Sequence, residues 1–84
     1  MPITNNELDL HGFTVDEAIS SVNIFLDAMF KKHERRVWII HGKGTGTLRR
    51  AVRQHLVKHP LVRSCSTADG NRGGQGATLV EIVD

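Results

Sequence analysis

Val37-Trp38-Ile39-Ile40-His41-Gly42-Lys43-Gly44-Thr45-Gly46-Thr47 is the stretch whose reading decides the fold. Its first four residues form a nearly continuous apolar run, which suits an interior strand better than an exposed edge. The strand ends at His41, and the glycines after it mark a turn where the backbone can reach positive torsions and approach a ligand closely. Beyond the turn, Leu48, Ala51, Val52 and Leu56 recur at helical spacing, and Pro60 closes the helix. A strand, a glycine-rich turn and a helix in succession form the repeating unit of an α/β sheet. The free amides at the start of such a helix, beside a turn of this kind, make an anion site.

Upstream, Glu7-Leu8-Asp9-Leu10-His11 alternates with period two, so Leu8 and Leu10 face a core. Thr14 followed by Glu17 is a capping box. The helix it opens carries Val15, Ala18, Ile19, Val22, Phe25, Leu26, Met29 and Phe30 at intervals of three and four, one broad stripe to lay against a sheet. Downstream, Leu61 to Thr67 reads as a third strand, Ala68 to Gly76 as a glycine-rich loop and Ala77 to Val83 as a fourth strand. The order is β-α-β-α-β-β. The 84 residues support one core and one domain, 1–84, with residues 1–5 expected to fray.

A hydrophobic fraction of 39% with 24% charged residues is a globular balance and excludes a disordered chain. The single cysteine, Cys65, has neither metal-ligand nor redox-pair spacing, so a reducing compartment is expected. No apolar run has the length of a membrane span and no targeting pattern opens the chain, so the expected location is cytoplasmic, for a whole protein or a fragment. The net charge is only +2, yet from Arg35 to Ala68 there is no acidic residue, while Arg35, Arg36, Lys43, Arg49, Arg50, Arg53, Lys58 and Arg63 all fall there. A basic stripe of this kind attracts polyanions by counterion release. The alternative is a solvated face that lacks acids.

Right-handed crossovers make the first three strands parallel, and sites in such sheets gather at the carboxyl edge. His11 and His41 close two of these strands, and Asp9 stands two residues before His11, on the same side of its strand. The loop Gly42, Lys43, Gly44, Thr45, Gly46 lies at that edge as a phosphate site. Lys43 and Arg49 add charge-assisted contacts, Thr45 and Thr47 hydroxyls, and Arg50 and Arg53 further basic charge. The spacing fits neither a nucleotide P-loop nor a dinucleotide fingerprint, so a nucleotide enzyme with a small-molecule cofactor is excluded. Each residue also has a structural reading. Asp9 can pair with Arg36 on the next strand, His41 can cap a strand end, and His33, His55 and His59 sit in or beside helices.

Leu-Asp-Leu-His-Gly at 8–12, Ile-His-Gly-Lys-Gly-Thr-Gly-Thr-Leu-Arg at 40–49, His59-Pro60-Leu61-Val62 and Gly73-Gly74-Gln75-Gly76-Ala77-Thr78-Leu79-Val80-Glu81 together resemble the Smr, or small MutS-related, domain. The form His-Gly-Lys-Gly-Thr-Gly is most similar to the Smr domain at the carboxyl end of bacterial MutS-like proteins that suppress recombination or rescue collided ribosomes. The resemblance implies a two-layer α/β sandwich like the carboxyl-terminal domain of translation initiation factor three. Its two helices lie on one face of a mixed sheet of order 1-2-4-3, with strand four antiparallel. It also implies endonuclease activity, nicking DNA or RNA, with Asp9 and His11 matching the Asp-x-His motif and Gly42 to Gly46 the glycine motif. Many MutS-linked relatives carry Arg where this chain has His11.

Phosphodiester cleavage needs a nucleophile, proton transfer and stabilisation of charge on phosphate. His11 or His41 can act as base or acid, Asp9 can orient His11, and the loop with Lys43 and Arg49 can clamp the phosphate. On RNA the ribose hydroxyl can attack without a metal. On DNA water must attack, and a divalent metal then helps; no residue is assigned as a metal ligand, and no other cofactor is expected. The expected partners are branched or nicked DNA, RNA, or the ribosome through a parent protein. The alternative function is a non-catalytic module that binds branched DNA or ribosome-associated RNA; a third is an anchor for protein partners.

Overall fold

The computed structural model describes residues 3, 4, 6–42, 44, 46–70 and 74–84. Its elements are β1 (Ile3–Thr4), β2 (Glu7–Asp9), α1 (Val15–Lys31), β3 (Arg36–Ile40), α2 (Thr47–Leu56), β4 (Val62–Thr67) and β5 (Ala77–Ile82), with a short 3-10 turn at Gly74–Gly76 before β5. The sheet order is β1-β2-β3-β5-β4. Leaving out β1, this is the expected four-stranded mixed sheet, 1-2-4-3, with the last strand antiparallel to both neighbours. β2 and β3 pair in parallel, Leu8 opposite Ile39 and Asp9 opposite Ile40.

At the amino-terminal end, Ile3 pairs with Leu8 and Thr4 with Glu7 in an antiparallel bridge; residues 1, 2 and 5 of the stretch expected to fray lie outside the described residues. The bridge covers backbone groups that β2 would otherwise leave exposed as an edge strand. α1 begins with the expected capping box, the Glu17 amide donating to Thr14 Oγ1 and the Thr14 amide to Glu17 Oε1. It ends in a left-handed turn, where His33 (φ +64°) lets the Glu34 amide reach the Met29 carbonyl at 3.0 Å. Its buried stripe, Ala18, Ser21, Val22, Phe25, Leu26 and Met29, is narrower than the sequence suggests. Val15 and Phe30, each 36% exposed, lie in the terminal turns of the helix.

The core lies between one face of the sheet and the two helices, with Leu8, Leu10, Val37, Ile39, Val80 and Ile82 of the sheet region meeting Val22, Phe25, Leu26, Val52 and Leu56. Among the described residues only one face is covered. Along β3, Val37 and Ile39 are buried while Trp38 and Ile40 are half-exposed, so the apolar run marks an interior strand whose second face is open. Arg36, whose Nε lies 3.7 Å from Glu81 Oε2, pairs there rather than with Asp9. Glu81 stands opposite Arg36, at the end of the sheet away from the carboxyl edge of β3.

Candidate nucleic-acid interface and active site

The carboxyl ends of β2 and β3 are joined by the Leu10 amide, which donates to the Ile40 carbonyl at 2.7 Å. The next residue of β3's chain, His41, and then Gly42 both donate their amides to the Gly76 carbonyl at 3.0 Å, tying the glycine loop to the turn that opens β5. Gly42 (φ +79°) and Gly46 (φ +85°) adopt left-handed backbone that L side chains rarely take. Gly46 is also the N-cap of α2, and as glycine it supplies no side-chain cap of its own. The first turn therefore presents backbone N–H groups at the same edge as the loop. Lys43 and Thr45, expected in the phosphate site, lie outside the described residues.

On the helix-covered face a polar network fills this edge. Thr78, fully buried, sits on β5 between Ile39 of β3 and Thr67 of β4. Arg53, one turn into α2 beyond Arg49, forks across the two threonines: Nε donates to Thr78 Oγ1 at 2.9 Å and Nη2 to Thr67 Oγ1 at 2.8 Å. Arg49 Nη2 donates to the same Thr67 hydroxyl at 3.3 Å, and Arg49 Nε is buried with no hydrogen-bond partner. Among the described residues no carboxylate pairs with Arg49, Arg50 or Arg53. Two guanidinium groups meeting on one neutral hydroxyl repel each other and leave donors to be satisfied from outside.

His41 belongs to this network. Its ring is 5% exposed, with Nδ1 3.1 Å from the Gly42 carbonyl and Nε2 2.9 Å from Thr78 Oγ1. A carbonyl only accepts, so Nδ1 carries the proton and the neutral ring accepts at Nε2. Burial holds His41 below the ordinary histidine range; the bond to Gly42 opposes this, and the charges of Arg49 and Arg53 add to the depression.

Asp9 and His11 form a second cluster. Asp9 Oδ1 accepts from the His11 amide at 3.0 Å and lies 2.9 Å from His11 Nδ1. The His11 amide holds the carboxylate below the usual carboxylate range; burial opposes it, and the His11 ring adds to the lowering. Leu8 and Leu10 are fully buried, so strand alternation points Asp9 to the open face. The His11 side chain is 78% exposed. With Nδ1–H donated to a carboxylate, Nε2 is the basic nitrogen and faces solvent.

The structure thus brings Asp9 to His11, and His41 to Arg49 and Arg53, but sets the two groups on opposite faces of one sheet edge. Arg50 is exposed on α2. His55 Nε2 lies 2.7 Å from Asn23 Oδ1, and His59 Nδ1 accepts from the Leu61 amide at 3.1 Å, both within the fold. Thr67 and Thr78 were not identified from the sequence, although Thr78 shares the parity of buried Val80 and Ile82, and a buried hydroxyl requires a partner. Among the described residues there is no group of three or more His, Cys, Asp or Glu able to hold a metal ion, and no helix is long and apolar enough to cross a membrane.

Comparison with known proteins agrees with this geometry. The sequence profile of the Smr domain matches residues 8–83. The chain is 46% identical over 76 residues to "Endonuclease MutS2" of Staphylococcus carnosus, covering 90% of this chain and 10% of that protein. It is 47% identical over 77 residues to the protein of the same name from Caldicellulosiruptor saccharolyticus, covering 92% and 10%. The chain therefore spans about a tenth of the length of these relatives. The crystal structure of the Smr domain of Thermus thermophilus MutS2 superimposes with a TM-score of 0.92 at 36% identity, covering 95% of this chain and 100% of that one. YdaL, a stand-alone small MutS-related protein from Escherichia coli, gives 0.89 at 29% identity over 94% of this chain and 65% of that one.

Proposed function

The chain belongs to the Smr domain family, and from that premise we propose that it grips the phosphates of a nucleic-acid strand at the carboxyl edge of its sheet and cuts the strand with the Asp9–His11 pair. The observation that carries the reading is the convergence of Arg49 and Arg53 on Thr67 with neither in an ion pair to a carboxylate among the described residues. Structural arginines in a half-buried setting are ordinarily neutralised by an acid. Here an external anion takes that place, and the repeating anion that suits a basic stripe is phosphate. Arg50, exposed on the same helix, adds long-range attraction.

His11 is the proton-transfer group of this reading. Its Nε2 faces solvent, and Asp9 fixes the tautomer that leaves Nε2 to take a proton. On RNA that proton comes from the ribose 2′-hydroxyl, whose oxygen bonds the neighbouring phosphorus as the bond to the 5′-oxygen breaks; the 5′-oxygen takes a proton from water and a cyclic phosphate is left. On DNA it comes from water, whose oxygen bonds the phosphorus as one ester bond breaks and the departing sugar oxygen is protonated from solvent. His41 is assigned to holding the loop, because both of its ring nitrogens are bonded within the fold. MutS2-named relatives are called endonucleases, which supports cleavage over binding alone.

The test is incubation of the chain with labelled single-stranded RNA and with branched DNA, in chelator and in added magnesium, beside His11→Ala. Expected is cutting that His11→Ala loses while binding persists. Cutting that survives in His11→Ala removes His11 from the chemistry. Tight binding with no cutting in the unaltered chain leaves a binding module.

A further inference from the structure

Thr78 bonds both the histidine that follows β3 and the α2 fork. It is fully buried, in register with Ile39 on one side and Thr67 on the other. Its hydroxyl has one proton to give and can accept two. The neighbouring groups fix how these are used. Arg53 Nε can only donate, so Thr78 Oγ1 accepts there. Gly42 O can only accept, so His41 carries its proton on Nδ1, and Nε2 must accept from the Thr78 hydroxyl. Protons therefore point one way along a chain, from Arg53 to Thr78 to His41 to the Gly42 carbonyl. A positively charged His41 would require Thr78 to accept from two cations at once.

We propose that Thr78 is a positioning residue: its hydroxyl sets the Arg53 guanidinium and the His41 ring against one another and, through that ring, orients the Gly42 carbonyl at which the glycine loop begins. This rests on the reading of the loop and the α2 arginines as the phosphate site. The sequence places the hydroxyl well. Threonine in a strand has few side-chain rotamers, so burying its methyl group aims Oγ1 without further contacts. Thr67 alone holds only one end of the fork. Without Thr78's hydroxyl, Arg53 Nε loses its partner and His41 Nε2 becomes a buried acceptor with no donor, so the ring, its Nδ1 proton still held by the Gly42 carbonyl, is anchored at one end only.

The experiment compares the chain with Thr78→Val, which removes only the hydroxyl, and Thr78→Ser, which keeps it. Long-range proton–nitrogen NMR of the histidine rings reads the His41 tautomer and whether its Nε2 accepts a hydrogen bond, since an unbonded ring nitrogen resonates downfield of a bonded one. Fluorescence anisotropy with a labelled single-stranded oligoribonucleotide reads affinity. The expected result is an Nδ1–H ring with a hydrogen-bonded Nε2 in the unaltered chain and in Thr78→Ser, and an unbonded, downfield-shifted Nε2 in Thr78→Val with roughly tenfold weaker binding, the effect of misaiming one charge-assisted contact. A Thr78→Val ring whose Nε2 signal is unmoved overturns the proposal, as does a shifted signal with unchanged affinity. The unaltered chain supplies a test that no folding defect can obscure, since a His41 ring protonated at Nε2 overturns the proposal without any variant. Absence of binding by the unaltered chain refutes the phosphate reading instead, and the ring spectra then decide the positioning role alone.

Discussion

Arg53 separates charge from geometry, and two substitutions read them independently. Arg53→Gln removes both. The side chain makes two charge-assisted bonds, at 2.9 and 2.8 Å, in a half-buried setting where each is worth about 1 to 2 kcal/mol. Two terms reduce the sum: Thr78 keeps its bond to His41, so no buried hydroxyl is orphaned, and the repulsion from Arg49 is relieved. A net loss of roughly 1 to 2 kcal/mol lowers Tm by about 5 to 15 °C in a domain of this size, measurable by circular dichroism. In anisotropy titrations at several salt concentrations, loss of one phosphate contact flattens the slope of log K against log salt by about 0.7 for a single strand. Arg53→Lys keeps that slope, but one ammonium cannot bridge threonines on neighbouring strands, so Tm still falls and affinity drops several-fold. Wild-type Tm and affinity in Arg53→Lys would refute the role of the fork. An unchanged salt slope in Arg53→Gln would refute contact between Arg53 and phosphate.

His11→Ala is expected to reduce cleavage by about 10²- to 10⁴-fold, the usual value of a general base; the exposed ring lies off the arginine face, so gel-shift affinity stays within about twofold. The depressed proton affinity of buried His41 means that the unfolded chain binds a proton the folded chain refuses, so stability falls as pH drops below about 6.5 and is level above it. His59, lowered by burial and by His55, acts in the same direction. Thermal melts between about pH 8 and pH 5 should therefore show a shallower acid-side loss in His41→Asn than in the unaltered chain, the remaining slope belonging to His59. Gly46→Ala, at φ +85° with open space around the added Cβ, is expected to cost only torsional energy, about 1 to 2 kcal/mol. Gly70→Ala, where no positive φ and no close neighbour intervene, is the control and should leave Tm unchanged.

Strands and helices were legible because each has a period long enough to show. Leu8 and Leu10 announce β2, Thr14 with Glu17 announces α1, and both readings hold. β1 was not legible, because two residues have no period and their pairing depends on the chain turning back at Asn6, whose carbonyl accepts from the Trp38 amide at 2.9 Å. The run at 37–40 was legible as an interior strand but not as one with a bare face; apolar residues at every position conceal which parity is covered. The site divides in the same way. Asp9 ends β2 and His11 stands two residues on in the turn, so their contact is local and follows from the aspartate bonding the amide two positions ahead, whereas the Arg53 fork joins residues 25 and 14 positions apart across three elements. Threonine in a strand reads as a β-former and nothing more until its face is known.

Strand parity also constrains how the proposed activity works. Asp9 points to the open face and His41, with the α2 arginines, to the covered one, so a bound strand cannot lie along either face and meet both groups. It must run over the rim. The rim is built to permit this: Gly12, Gly42 and Gly46 stand at the carboxyl ends of β2 and β3 and before α2, and a Cβ placed on any of them meets no atom within 4 Å. Under this reading the arginines hold a phosphate on one side of the edge while His11 addresses a bond on the other. Binding and cleavage therefore fail separately under substitution, which is what His11→Ala and Arg53→Gln are expected to reveal when both are assayed on the same oligonucleotide.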